Sequence, residues 1–110
     1  MLLFFVTLED GNEFLKVLSA MREHGMNGTV LDTTSLKHAL TNHEEDIPMF
    51  GKISNLVDKD LQMSHSLMAI IRDEKLEEAK EIVRTSTNGL GRKKGVMFAT
   101  PITFWEGIEA

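Results

Sequence analysis

The distribution of apolar and polar residues along the chain predicts two similar strand–helix–strand units. Residues 2–8 are apolar at nearly every position, which is typical of a strand in the middle of a sheet. Apolar residues then recur at helical spacing, at Phe14, Val17, Leu18 and Met21. Gly25 is expected to end this helix, because glycine adopts positive φ at little cost. Residues 26–33 predict a short second strand, in which Gly28 either admits a close neighbour or marks a bulge.

The second unit begins with a third strand, predicted at residues 64–71. Asp73 is expected to cap the helix that follows, and the buried positions of that helix again have helical spacing. They are Leu76, Ala79, Ile82 and Val83. Glu77 and Lys80 are three residues apart on its polar side, so we expect them to form an ion pair.

A final strand is expected at residues 96–104. It contains Pro101, which has no N–H to donate, so the strand must lie at a sheet edge or be bulged there. The two units are separated by a long insert, residues 34–63. A connection of that length in a compact domain usually carries function or its own structure.

This order of elements predicts an α+β fold in one domain, residues 1–110. The arrangement is ferredoxin-like, βαββαβ: a four-stranded antiparallel sheet with two helices on one face and a long insert between strands 2 and 3. Because strands 2–8 and 67–71 are apolar at successive positions, the face away from the helices would also be apolar. An uncovered apolar face favours association, so we expect an oligomer.

Composition argues against several classes of function. The chain has no cysteine, which excludes disulfides and thiolate chemistry and fits a cytoplasmic location. No apolar run approaches the ~20 residues of a membrane span, and the apolar start lacks the features of a signal peptide, so no membrane insertion is expected. The net charge of −5 argues against nucleic-acid binding, which requires a basic face.

The strongest candidate for a binding site is the loop of residues 88–95. Glycines with free N–H groups next to three cations favour a bound anion, such as a nucleotide phosphate. The candidate residues are Gly89, Gly91, Arg92, Lys93, Lys94 and Gly95. The alternative is a solvated turn, in which the cations serve solubility and the helix dipole.

Metal binding and catalysis have weaker support. His38, His43 and the acidic residues 44–46 could be metal ligands, but their spacing matches no known cluster, so no metal is expected. No serine lies in a nucleophile context. Asp73 and Glu74 suit a helix start better than an acid–base pair. We therefore expect no catalytic residues and no enzyme activity.

Three stretches of the chain resemble the nitrogen-regulatory P-II-like superfamily, whose members are trimeric ferredoxin-like proteins. They are residues 24–30 (HGMNGTV), residues 70–79 (IIRDEKLEEA) and residues 95–102 (GVMFATPI). The last is similar to the strand that follows the B-loop in that family and is the most specific of the three.

The resemblance implies a homotrimeric regulatory protein with a ligand between its subunits. It places the B-loop at residues 88–95 and the base of the T-loop at Thr33, Thr34 and Ser35. It implies that a small anionic ligand, for example an adenine nucleotide, binds there and that residues 34–63 contact a protein partner. The stretch NGLGRKKG only approximates the B-loop signature, and the chain has no tyrosine to serve as the family's modification site, so the chain resembles a divergent member.

Two other interpretations remain open. The chain could be a structural or interaction module that binds no ligand. It could also be a small dimeric α+β-barrel protein or an ACT-like effector domain.

Overall fold

Two β-α-β units form one four-stranded antiparallel sheet in a computed structural model, which describes residues 1–36, 39–40, 64–91 and 94–108. The elements are β1 (Leu2–Leu8), α1 (Gly11–Glu23), β2 (Gly28–Thr33), β3 (Ser64–Ile71), α2 (Leu76–Thr87) and β4 (Gly95–Pro101). The strands lie in the order β2-β3-β1-β4, and every neighbouring pair is antiparallel. This is the predicted ferredoxin-like α+β fold, with the insert between β2 and β3.

Both helices pack on the same face of the sheet. The apolar residues buried with them come from alternate positions of the two central strands, because successive side chains of a strand point to opposite faces. The strand residues are Phe4, Val6, Leu8, Leu67, Ala69 and Ile71, and the helix residues are Phe14, Val17, Met21, Ala79, Ile82 and Val83. Of the residues predicted for the two helical stripes, Leu18 and Leu76 are only partly buried.

The ends of α1 follow from local chemistry. The Asp10 side chain accepts a hydrogen bond from the backbone N–H of Glu13 at 2.9 Å, which satisfies one of the free donors of the first turn. After the helix, Gly25 has φ of +75°, as predicted for the residue that ends it.

The predicted cap of α2 is wrong. Residues Asp73–Lys75 form a short 3₁₀ turn before the helix, and no side chain caps either segment. The Asp73 carboxylate instead lies 2.9 Å from the amino group of Met1, so it pairs with a charge from elsewhere in the fold. The predicted ion pair between Glu77 and Lys80 is present, at 2.9 Å.

The two edge strands are shorter than predicted. β2 begins at Gly28, and a Cβ added there would lie 2.4 Å from the carbonyl oxygen of Met68, which confirms the close approach. β4 ends at Pro101 and, among the strands that the structure describes, has only β1 as a neighbour, so the proline lies on an edge strand, as predicted. The next residue, Ile102, donates its N–H to the carbonyl of Met1 at 3.1 Å.

Candidate functional site

The sheet face away from the helices carries no charged side chain on any of its four strands. The strand register assigns thirteen residues to this face, which we call the uncharged face. They are Leu3, Phe5 and Thr7 on β1, Thr29, Leu31 and Thr33 on β2, Ser64, Ser66, Met68 and Ile70 on β3, and Val96, Phe98 and Thr100 on β4. Charged residues make up 26% of the whole chain, so this face differs clearly from an ordinary protein surface.

Large apolar side chains of the uncharged face remain exposed. Val96 and Phe98 on β4 are each 50% exposed, and Met68 on β3 is 38% exposed. The Phe98 ring stacks on Phe5 with 5.1 Å between the ring centroids. The predicted uncovered apolar face is therefore confirmed.

A cleft of about 440 Å³ opens at one end of this face. It lies where β1 and β2 end and where β3 and β4 begin. Its lining brings together two predicted site segments that are far apart in the sequence: Thr33, Thr34 and Ser35 from the base of the insert, and Gly95 at the end of the loop. The other lining residues are Phe5, Thr7, Leu8, Glu9, Ser64, Ser66 and Val96.

Hydroxyl groups dominate the polar lining of this cleft. Six of its residues are serine or threonine, and Glu9 is the only charged residue among those that the structure describes there. The hydroxyls of Thr33 and Ser66 are 2.7 Å apart, and Ser66 is fully buried. The Ser66 hydroxyl therefore pairs with that of Thr33, and a ligand in this cleft would meet the hydroxyls that are not fully buried, which both donate and accept hydrogen bonds.

Sequence reasoning missed three of these hydroxyls: Thr7, Ser64 and Ser66. Their shared position depends on the register, which pairs Thr7 with Ser66 and Thr33 with Ser64. The alternation of serines at positions 64 and 66 was the one signal of a polar strand end in the sequence.

Position 95, at the end of the loop, requires a glycine for a steric reason. Gly95 has φ of +149°, and a Cβ there would lie 2.0 Å from the carbonyl oxygen of Thr7. The N–H of Glu9 donates to the carbonyl of Lys94 at 3.1 Å, which holds the end of the loop against β1. The backbone of Gly95 thus forms one wall of the cleft.

Of the other predicted loop residues, the three that the structure describes, Gly89, Gly91 and Lys94, do not line the cleft. The Lys94 ammonium donates to the carbonyl of Thr87 at 2.6 Å and lies 3.7 Å from the Glu13 carboxylate, so it ties the loop to both helices. Gly89 has φ of +92° and, like Gly91, has open space where a Cβ would stand. Arg92 and Lys93 lie outside the described residues, as do His43 and the acidic residues 44–46.

A separate charged cluster joins the two helices. The Nδ1 atom of His24 lies 2.7 Å from one carboxylate oxygen of Glu78, and the Lys75 ammonium lies 3.0 Å from the other. Hydrogen bonds from Lys75 and His24 lower the pKa of Glu78. Within the described ranges, no group of three or more acidic or histidine side chains is placed to hold a metal ion.

No protein-family model matches the chain, and a search of curated proteins finds no match either. In the part of the chain that the structure describes, no helix is both long enough and apolar enough to cross a membrane. The resemblance to the P-II-like superfamily stays a prediction.

Proposed function

We propose that this chain is a P-II-like regulatory protein without enzyme activity. It assembles as a homotrimer, binds a small anionic ligand such as an adenine nucleotide between subunits, and contacts a protein partner through residues 34–63. The observation that carries this proposal is the meeting of residues 33–35 with Gly95 in one cleft at the border of the uncharged face.

The uncharged face supports assembly. Exposed apolar side chains without any charge among them resemble the core of a subunit interface, from which charged residues are depleted. Nucleic acid is a poor alternative occupant, because phosphate contacts require cations and the thirteen positions offer none. Further copies of the same chain are a better cover, since most soluble oligomers are closed symmetric assemblies of one chain, and a trimer closes when part of each copy's surface packs on a different part of the next copy.

The position of the cleft supports a ligand between subunits. Phe5, Thr33 and Val96 belong both to the cleft lining and to the uncharged face. A copy packed on that face would therefore border the cleft. The hydroxyls would hydrogen-bond the polar part of the ligand, and Arg92 and Lys93 are the predicted partners of its phosphates.

Thermal unfolding with ATP, ADP, AMP and cyclic nucleotides tests the ligand. A nucleotide at 100 times its dissociation constant should stabilise the protein by about 2.7 kcal/mol. Thr33→Val should weaken this effect because it removes a cleft hydroxyl. Thr100→Val is the matched control, since it changes the same residue type on the same face outside the cleft. If no nucleotide stabilises the protein, the ligand part of the proposal is wrong.

One observation favours the alternative of an interaction module without a ligand. Lys94, a predicted phosphate contact, is engaged by Thr87 and Glu13. Limited proteolysis distinguishes the two functions: cleavage within residues 41–48 that a nucleotide suppresses supports the sensor, and cleavage that no nucleotide changes supports the module. Light scattering that returns a dimer would instead favour the ACT-like or dimeric α+β-barrel interpretation.

A further inference from the structure

A second cleft, of about 630 Å³, lies at the opposite end of the sheet from the first cleft, which is lined by residues 33–35 and Gly95. It is formed where β1 and β2 begin and β3 ends, together with the connections that follow α1 and β3. The lining consists of Met1, Leu3, Gly25, Met26, Asn27, Gly28, Thr29, Met68, Ile70, Ile71, Arg72, Lys75, Gly107 and Ile108. The volume is within the roughly 300–1,000 Å³ of typical small-molecule sites.

The side chains of this second cleft are mostly aliphatic, and three of them are methionines: Met1, Met26 and Met68. Methionine side chains are flexible and polarizable, so they fit apolar ligands of varied shape. No aromatic side chain belongs to the lining among the described residues. The cleft therefore suits an aliphatic chain better than a planar ring.

Two cations stand at the rim of this cleft. The side chains of Arg72 and Lys75 follow β3 and are 54% and 40% exposed. The lining contains no aspartate or glutamate among the described residues. The acidic partners of the cations, Glu74 at 3.7 Å and Glu78 at 3.0 Å, lie outside the lining.

We propose that this cleft binds a small aliphatic carboxylate. Its chain would lie against Leu3, Met68 and Ile70, and its carboxylate would pair with the guanidinium of Arg72 and the ammonium of Lys75. Arginine suits this role because its planar fork matches a carboxylate in a bidentate pair. The ion pair between Arg72 and Glu74 is long at 3.7 Å and exposed to water, so a ligand carboxylate can replace it at little cost.

This site is separate from the proposed nucleotide cleft and shares no lining residue with it among those described. Leu3, Met68 and Ile70 also belong to the uncharged face, so a neighbouring copy would cover that side of the cleft. The two proposals therefore fail independently: a protein that binds no nucleotide can still bind the carboxylate, and a protein that binds no carboxylate can still bind the nucleotide.

A series of ligands with the same chain and different head groups tests the chemistry. Octanoate, octylammonium and octan-1-ol are titrated into the native protein labelled with ¹³C at the methionine methyl groups, with acetate as the control for the head group alone. Octanoate should bind at least about tenfold tighter than octylammonium, because the two cations attract one head group and repel the other. It should shift the signal of Met68, which lines the cleft, and leave that of Met97, on β4 outside the lining, unchanged.

Substitutions test the cations. Arg72→Gln and Lys75→Gln should each weaken octanoate binding about two- to fivefold, the scale of an ion pair that stays exposed to water. Lys80→Gln is the matched control, because it breaks a similar ion pair between residues three apart on α2 but lies outside the lining. The proposal is overturned if octylammonium or octan-1-ol binds as tightly as octanoate. It is also overturned if octanoate leaves the Met68 signal in place.

Discussion

Replacing Phe98 by glutamate should dissociate the proposed assembly into single chains. Phe98 lies in the middle of β4 on the uncharged face, where it is 50% exposed and stacks on Phe5. A copy of the chain that covers this face would bury the rest of the ring. The substitution would then place a carboxylate inside an interface that offers no cation at any of its thirteen positions.

The size of the effect follows from the exposed area. A phenylalanine buries about 150–250 Å², so its exposed half leaves about 100 Å² to be covered on assembly. At about 25 cal/mol per Å², this area contributes about 2.5 kcal/mol for each copy, or about 7.5 kcal/mol for three copies. Burying an unpaired carboxylate costs several kcal/mol more for each copy. Together these losses are as large as the whole free energy of association of an assembly with a micromolar dissociation constant.

Sedimentation velocity at micromolar concentrations measures the outcome. The native chain should sediment as a trimer and Phe98→Glu as a monomer. Leu15→Glu is the matched control, because Leu15 is 60% exposed on α1, which packs on the other side of the sheet. Circular dichroism confirms that the variant remains folded, since loss of the ring stack alone should cost about 1 kcal/mol.

Two results would refute this reasoning. A native chain that sediments as a monomer would show that the uncharged face needs no cover from other copies. Equal dissociation of Phe98→Glu and Leu15→Glu would show that added charge, wherever it is placed, disrupts the assembly.

Three further predictions concern stability and use urea or thermal unfolding. Gly95→Ala should lower the free energy of unfolding by at least about 1–3 kcal/mol, because residue 95 has a positive φ and lies against a carbonyl of β1. Gly91→Ala should change the free energy of unfolding little, because there is open space around Gly91. Equal losses in the two variants would contradict the steric argument. Asp10→Ala should cost about 1 kcal/mol through loss of the helix cap, and an unchanged urea midpoint would rule out a stabilising cap. The pKa of Glu78 is lowered in the folded state by hydrogen bonds from Lys75 and His24, so its contribution to stability is present above its ordinary value of 4.5 and is lost as the pH falls below it. Thermal unfolding from pH 6 to pH 3 should therefore be less steeply pH-dependent in Glu78→Gln, and identical slopes would contradict the link.

The central strands were predictable because their signal is local. Polar residues follow both stretches, Glu9 and Asp10 after the first and Arg72 and Asp73 after the second, and the structure has strands at Leu2–Leu8 and Ser64–Ile71. The start of α2 was not predictable from local chemistry. Asp73 has the side chain of a cap, but the amino group of Met1, brought near by the fold, competes for its carboxylate.

Only part of the candidate site was predictable, because the sequence alone does not give the register in which the strands pair. Gly95 was predicted from the composition of its loop and Thr33 from a family resemblance, and the structure places both in one cleft. The missing Cβ of Gly95 also makes room for the carbonyl of Thr7. Ser66 was missed, because a residue joins a cleft through the strands beside it and the sequence alone does not give the pairing.

The strand order explains why the two clefts are at opposite ends. In the order β2-β3-β1-β4 with antiparallel neighbours, the ends of β1 and β2 meet the starts of β3 and β4 at one end of the sheet. The insert and the loop of residues 88–95 both connect to strands at that end. The connections after α1 and β3 meet at the other end, where Arg72 and Lys75 lie. The uncharged face joins the two ends, so the proposed assembly would bring both clefts of one copy next to a neighbour. If the proposed ligands bind there, a change at either cleft should alter assembly and ligand affinity together.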